Sequence, residues 1–303
     1  MILLFSLCLN LDSLLAETQG NELMWSDYMQ THQGEVLECC SYLLENIPRL
    51  DRLEMTEEIL DDHILNALPF RNGLPDSIFF SGLLWYRTAV EPVAPFRATL
   101  SDFWAEQSVT VPEDVVSWTE SNLTILTGRY LGGMESPLQV LSSGSGTRGE
   151  IRVLQAASIR SLGYPVRTVY GWFRGEDGGE RSWLEIWEDG GWMPLSRDFT
   201  DLVLAVEKSQ GENLTAHCTD TFVLVIIPPD ESAGEFMVSL NVPVKGKYLP
   251  LDWVFESDTL QLGNGELLVS LTRRLPSGAV EVWNTFISGS PGDTLHWRAA
   301  DCL

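Results

Sequence analysis

Residues 144–173 read G-S-G-T-R-G-E-I-R-V-L-Q-A-A-S-I-R-S-L-G-Y-P-V-R-T-V-Y-G-W-F, and residues 181–196 read R-S-W-L-E-I-W-E-D-G-G-W-M-P-L-S. A small-residue loop ends at Thr147. Thr147-Arg148-Gly149-Glu150 has the form of a capping box, in which the threonine hydroxyl accepts from a first-turn N–H and the glutamate reaches back. Ile151, Leu154, Ser158 and Leu162 then recur at helical spacing and predict one helix face. Gly163 suits a left-handed C-terminal cap, and Pro165 stops the helix. Val166 to Phe173 is β-branched and aromatic and reads as a strand. After the Gly175–Gly179 turn, Trp183 to Trp187 reads as a second strand. Asp189-Gly190-Gly191 is a tight turn, and Trp192 to Leu195 a third strand. The expected unit is a helix followed by an antiparallel meander.

These words, in this order, resemble the transglutaminase-like superfamily, a papain-like fold. Arg160-Ser161-Leu162-Gly163-Tyr164-Pro165-Val166-Arg167 is similar to the family's R-x-L-G-[IY]-P-[AV]-R. Trp183-Leu184-Glu185-Ile186-Trp187 is similar to H-x-W-[VL]-E-[VI]-W, and Gly191-Trp192-Met193-Pro194-Leu195 to the word ending W-x-P-x-D. Upstream, Leu68-Pro69-Phe70-Arg71-Asn72-Gly73 resembles the L-P-Y-R-x-G segment of a bacterial branch. Residues 263–280 and 290–295 resemble the C-terminal β-domain of that same branch. The resemblance implies an α+β fold: a papain-like core, with a helical N-terminal half and a central helix plus antiparallel sheet, followed by a C-terminal β-sandwich.

The family's chemistry uses a cysteine at the helix N-terminus, whose pKa the helix dipole and a neighbouring imidazole lower. A histidine is the base, and an aspartate orients it. By the matching words these positions fall on Thr147, Arg181 and Ser196, so all three are replaced. None of the five cysteines and none of the four histidines lies between Thr147 and Ser196. A threonine hydroxyl needs a general base, and a guanidinium stays protonated at any working pH. The reading is therefore a degenerate catalytic triad in a chain that leans away from being an enzyme. Its expected role is protein or peptide binding, or a structural part of the envelope. The alternative is an active amide hydrolase or acyl transferase that uses no thiol, with a base such as His63 or His217 supplied from elsewhere in the chain.

Thr147 has a plain reading too, as a helix cap worth about 1 kcal/mol. Arg181, set near that helix N-terminus by the fold, could hold a carboxylate ligand. Alternatively Glu150 or Glu185 neutralises it. Trp172 and Trp183, with Arg181 and Thr147, are the candidate cleft residues.

The chain has 303 residues, 44% hydrophobic, enough for a large core and two domains. A net charge of −24 makes duplex nucleic acid and anionic membrane surfaces poor partners and permits a basic one. Metal-ligand spacing is absent, and no cofactor is expected. Cys218–Cys302 and Cys40–Cys218 are the disulfides open to an oxidising compartment. Met1–Ala16 has an apolar run without a basic leader. It reads either as a weak signal peptide, which would send the protein to the periplasm or the cell exterior, or as a segment packed on the core of a cytoplasmic protein. No stretch is long enough to span a membrane.

Helices are expected at Glu22–Asn46, Thr56–Leu68, Leu100–Ala105 and Val115–Leu126. Asp201–Glu212 reads as a polar, mixed changeover. Strands are expected at Phe222–Ile227, Glu235–Val242, Tyr248–Phe255, Glu266–Thr272, Val280–Ile287 and Thr294–Arg298, as an antiparallel sandwich. The resulting division is 17–215 for the family domain and 220–303 for the β-domain.

Overall fold

A computed structural model describes residues 15–16, 18, 20–127, 133–195, 199–207, 212–227, 236–251, 259–275 and 277–299. The proposed signal segment falls outside them apart from Leu15 and Ala16. The chain forms two compact units, Met1–Thr168 with Leu184–Leu195, and Val169–Trp183 with Ser196–Leu303.

The first unit is mainly helical. The single helix expected over Glu22–Asn46 is two, α1 (Glu22–Thr31) and α2 (Glu35–Asn46). The break is at Gly34, which sits at φ +62, a conformation that helices exclude. A short α3 (Arg49–Glu54) precedes α4 (Glu57–Leu65), whose cap Thr56 accepts from the Ile59 N–H at 3.3 Å. A turn at Leu68–Phe70 and a π-helical segment at Phe79–Leu84 lead to α5 (Arg97–Gln107), α6 (Pro112–Asn122) and α7 (Pro137–Ser143). Asp62 of α4 caps α5 from outside, accepting from the Phe96 and Arg97 N–H groups at 2.7 Å each.

The central helix is α8 (Arg148–Ser161), one residue inside the predicted span at each end. A two-residue parallel ladder, β1 (Thr124–Ile125) with β2 (Ser145–Gly146), holds the loop before it. α8 is buried nearly all round from Glu150 onward, not on one face alone. Leu154, Ala157 and Ile159 share a core with Leu100 and Trp104 of α5, Val115 of α6 and Val140 of α7.

All-round burial obliges the polar residues of α8 to find partners in the surrounding chain. Gln155 donates to the Thr119 hydroxyl at 2.7 Å. Arg160 donates to the carbonyls of Gly82 (3.0 Å), Trp85 (3.0 Å), Arg87 (2.6 Å) and Val166 (3.0 Å). Beside it, the fully buried Arg97 donates to the carbonyls of Arg160 (3.2 Å), Leu83 and Leu84, and its Nε donates to His63 Nδ1 at 3.2 Å. Burial and the Arg160 charge push the Arg97 guanidinium down to about 9. His63, fully enclosed and facing Arg97, is held well below the ordinary histidine value.

β3 (Val166–Phe173) and β4 (Gly179–Glu188) each run through both units. In the first, Glu185–Glu188 of β4 pairs with β5 (Gly191–Pro194). In the second, Val169–Phe173 pairs antiparallel with β6 (Leu202–Glu207). β6 corrects the polar changeover: Leu202-Val203-Leu204-Ala205-Val206 is a run of five apolar residues, and all six of its positions are buried.

The rest of the second unit holds β7 (Thr221–Ile227), β8 (Phe236–Val244), β9 (Lys247–Pro250), β10 (Thr259–Gly263), β11 (Gly265–Arg274), β12 (Val280–Gly289) and β13 (Thr294–Arg298). One sheet, in the order β12-β11-β8-β9, is antiparallel throughout. The other is β10-β7-β13. Here β13 runs parallel to β7, against the antiparallel expectation: the turn after β12 delivers the chain to the other sheet instead of a hairpin partner. Leu267, Val269 and Leu271 of β11 meet Phe222, Leu224 and Leu262 across a shared core, the interior of a sandwich. The strand expected at Tyr248–Phe255 is described only as far as Leu251. Among the described residues no helix is long and apolar enough to cross a membrane.

Arg160→Met leaves four carbonyls short of a donor, at about 1–3 kcal/mol for each that stays unsatisfied. The first unit should therefore melt at much lower urea concentration, whereas Arg298→Met, on an exposed position, should shift stability by no more than about 0.5 kcal/mol. A second expectation concerns pH. His63 is neutral in the folded chain and titrates near 6.5 when unfolded, so the unfolded state binds more protons below that value. Stability is then full above about pH 6.5 and falls by up to ~1.4 kcal/mol per pH unit on acidification. Urea titrations between pH 7.5 and 5 should show that slope, and His63→Gln, which keeps an acceptor for Arg97, should reduce it.

Candidate functional site

The loop that β2 closes delivers Thr147 to the N-cap of α8 at φ −65, ψ 164. Its hydroxyl accepts from the Glu150 N–H at 3.3 Å, and Glu150 Oε2 accepts from the Thr147 N–H at 2.7 Å. Glu150, buried, also takes the Glu135 N–H at 3.2 Å. The capping box read from T-R-G-E is thus complete. Among the described residues no imidazole or carboxylate hydrogen-bonds the Thr147 hydroxyl. His63, in the same unit, has Nδ1 on Arg97 and Nε2 3.2 Å from the Ala94 carbonyl, so both ring nitrogens are engaged.

Arg181 belongs to the second unit. It is exposed on β4, donates to the Asp177 carbonyl at 2.7 Å, and lies 4.5 Å over the Phe173 ring. The two glutamates named as its neutralisers serve elsewhere: Glu150 caps α8, and Glu185 belongs to Arg167. No ion pair joins Arg181 to a described residue. Trp183 packs edge-on to the same Phe173, at 6.2 Å, and against Phe199 at 5.0 Å. Arg181, Phe173 and Trp183 therefore form one cluster. Trp172 sits apart from it, in the sandwich core. Both tryptophans are buried, Trp172 at 9% exposure and Trp183 at 4%. Ser196 and its neighbour Asp198 lie outside the described residues.

A charged pair within the first unit escaped the sequence reading. Arg167 donates to Glu185 through Nε at 2.8 Å and Nη2 at 2.6 Å, and stacks 4.6 Å over the Trp192 ring. Glu185 is completely buried. The signal was there: a single carboxylate inside W-L-E-I-W, facing apolar neighbours, requires a cation.

Burial pushes the Cys39 and Cys40 thiols up to about 12, and Cys40 is a free thiol, so the Cys40–Cys218 disulfide is not formed. Cys302 is outside the described residues. Among those residues no group of three or more His, Cys, Asp or Glu side chains is set to hold a metal ion.

Residues 101–196 match the family model of the transglutaminase-like superfamily core. Two solved structures are similar in part. One, from Cytophaga hutchinsonii and described as a proposed cysteine protease, is 12% identical with a TM-score of 0.34, the match covering 73% of this chain and 60% of that one. The other, from Parabacteroides distasonis and described as a proposed protease, is 15% identical with a TM-score of 0.32, covering 64% of this chain and 49% of that one. The chain thus spans less than two thirds of the length of either. No curated protein matches it.

Thr147→Ala removes one half of the capping box and should lower the stability of the first unit by about 1 kcal/mol, with Thr147→Ser close to the parent. Chemical denaturation followed by tryptophan fluorescence gives the comparison.

Proposed function

We propose that this chain, which carries a transglutaminase-like core at residues 101–196, is a non-catalytic protein. In this reading it uses its fold to bind protein or peptide, or serves as a structural component of the envelope. Residues 17–215 form the family domain and residues 220–303 its β-rich companion. One observation carries the reading: where the family places a nucleophile, Thr147 holds its hydroxyl on the Glu150 N–H as a helix cap. An alcohol needs a base in hydrogen-bond reach to attack an amide. His63 has both nitrogens engaged, and Arg181 cannot take a proton. Each charged side chain that the family words bring into the first unit has a structural duty: Arg71 on Glu38 and Asp76, Arg160 on four carbonyls, and Arg167 with Glu185. The acidic surface favours a basic partner.

The test is turnover by the purified chain, set beside Thr147→Ala. Ammonia release from a glutaminyl peptide with an amine acceptor, and cleavage of a peptide library, should stay at the buffer level for both proteins. Turnover that Thr147→Ala abolishes would overturn the proposal and establish a thiol-independent hydrolase or acyl transferase. Turnover that survives the substitution would overturn it too, and would put the nucleophile elsewhere.

A further inference from the structure

The second unit contains a polar cavity of about 480 Å³ lined by Arg174, Asp201, Thr219, Asn264, Ser288 and Ser290. That volume lies within the roughly 300–1,000 Å³ usual for small-molecule sites.

Arg174 follows β3, and its own N–H is held by the Asp201 carbonyl at 2.9 Å. Its half-buried guanidinium donates to the Asn264 carbonyl. A guanidinium has five N–H donors. Arg174 makes no ion pair and no other side-chain hydrogen bond with a described residue, so donors remain for a guest. Its close approach to the strands depends on Gly265, where any Cβ would collide with the guanidinium.

Asp201 stands at φ +62 on the turn before β6, and its carboxylate accepts no hydrogen bond from a described residue. It is near enough for its charge to act on Arg174, opposing the downward push of burial on the guanidinium. Even so, the two side chains do not meet as an ion pair. The hydroxyls of Thr219, Ser288 and Ser290 also lack a partner among the described residues.

A cation and an anion therefore share one cavity without neutralising each other directly, with three unused hydroxyls beside them. A simple anion on Arg174 would face the Asp201 carboxylate, and a simple cation on Asp201 would face the guanidinium. A molecule carrying both charges a few bonds apart satisfies both walls. We propose that this cavity binds a free α-amino acid, with its carboxylate on Arg174, its ammonium on Asp201 and its remaining polar atoms toward the hydroxyls. The site lies wholly in the second unit and is independent of whether Thr147 is catalytic.

The experiment screens the common L-amino acids against the full chain by saturation-transfer NMR and measures the strongest by calorimetry. At least one should bind with Kd below about 1 mM. Its N-acetyl derivative, which lacks the ammonium, and its amide, which lacks the carboxylate, should each bind at least about tenfold more weakly, a loss of about 1.4 kcal/mol. Asp201→Asn and Arg174→Gln should have the same effect on the parent amino acid. If Arg174→Gln does not fold, Asp201→Asn and the two derivatives still decide the matter. Absence of binding by any amino acid, or equal binding of the blocked derivatives, overturns the proposal.

Discussion

Burial of the Arg160 guanidinium against main-chain carbonyls is the constraint on which the first unit depends. A buried cation is tolerable only when its donors are taken up. Here the acceptors are the carbonyls of Gly82, Trp85, Arg87 and Val166. Gly82 lies inside the π-helical segment, Trp85 and Arg87 in the irregular chain that follows it, and Val166 at the start of β3. The last two residues of the π-helical segment, Leu83 and Leu84, give their carbonyls to Arg97. Two arginines thus satisfy carbonyls at the end of the π-helical segment, in the irregular chain beyond it and at the start of β3. That arrangement fixes the corner where α8 turns into β3.

The sequence words read as family signatures meet at this corner. Phe70 of L-P-F-R-N-G lies against Gly163 of R-S-L-G, where a Cβ would enter the phenyl ring. A Cβ on Gly82 would press on Pro165 and on Trp192 at 3.0 Å each, so two of the words close around the π-helical segment. Arg167, two residues beyond Pro165, pairs with Glu185 of W-L-E-I-W and stacks on Trp192 of G-W-M-P. The residues of these words touch one another in the fold. Thr147 and Arg181, where the resemblance expects a cysteine and a histidine, take no part in these contacts, so the fold is legible without them.

Legibility followed the range of the interaction. The cap at Thr147, the span of α8, the strands of the meander and the last hairpin are set by neighbours a few residues apart, and the sequence shows them. The break at Gly34 was visible as a glycine but lost inside a helical pattern. β6 was missed because five apolar residues between polar flanks look like a linker until both faces are covered. The parallel pairing of β13 with β7 depends on which sheet the chain re-enters after β12, and no local pattern encodes that. The partners of Arg160 lie up to 78 residues away, and main-chain acceptors leave no trace in side-chain identity. At the candidate site, the sequence shows Thr147, Arg181 and Ser196 at the positions where the resemblance expects a cysteine, a histidine and an aspartate. The competing duty of Glu185 was not legible there, since it needed the strand register.

The helix N-terminus connects these points to function. Its first-turn N–H groups need acceptors, and a nucleophile placed there must leave them for the transition state or for solvent. Thr147 and Glu150 satisfy two donors at this end reciprocally, and Glu150 also accepts the N–H of Glu135 from the loop upstream. The Thr147 hydroxyl spends one of its two lone pairs on the Glu150 N–H. On the proposed non-catalytic reading, capping α8 is the use that this hydroxyl serves. Stabilising this end of α8 and activating its first side chain are competing uses of the same hydroxyl.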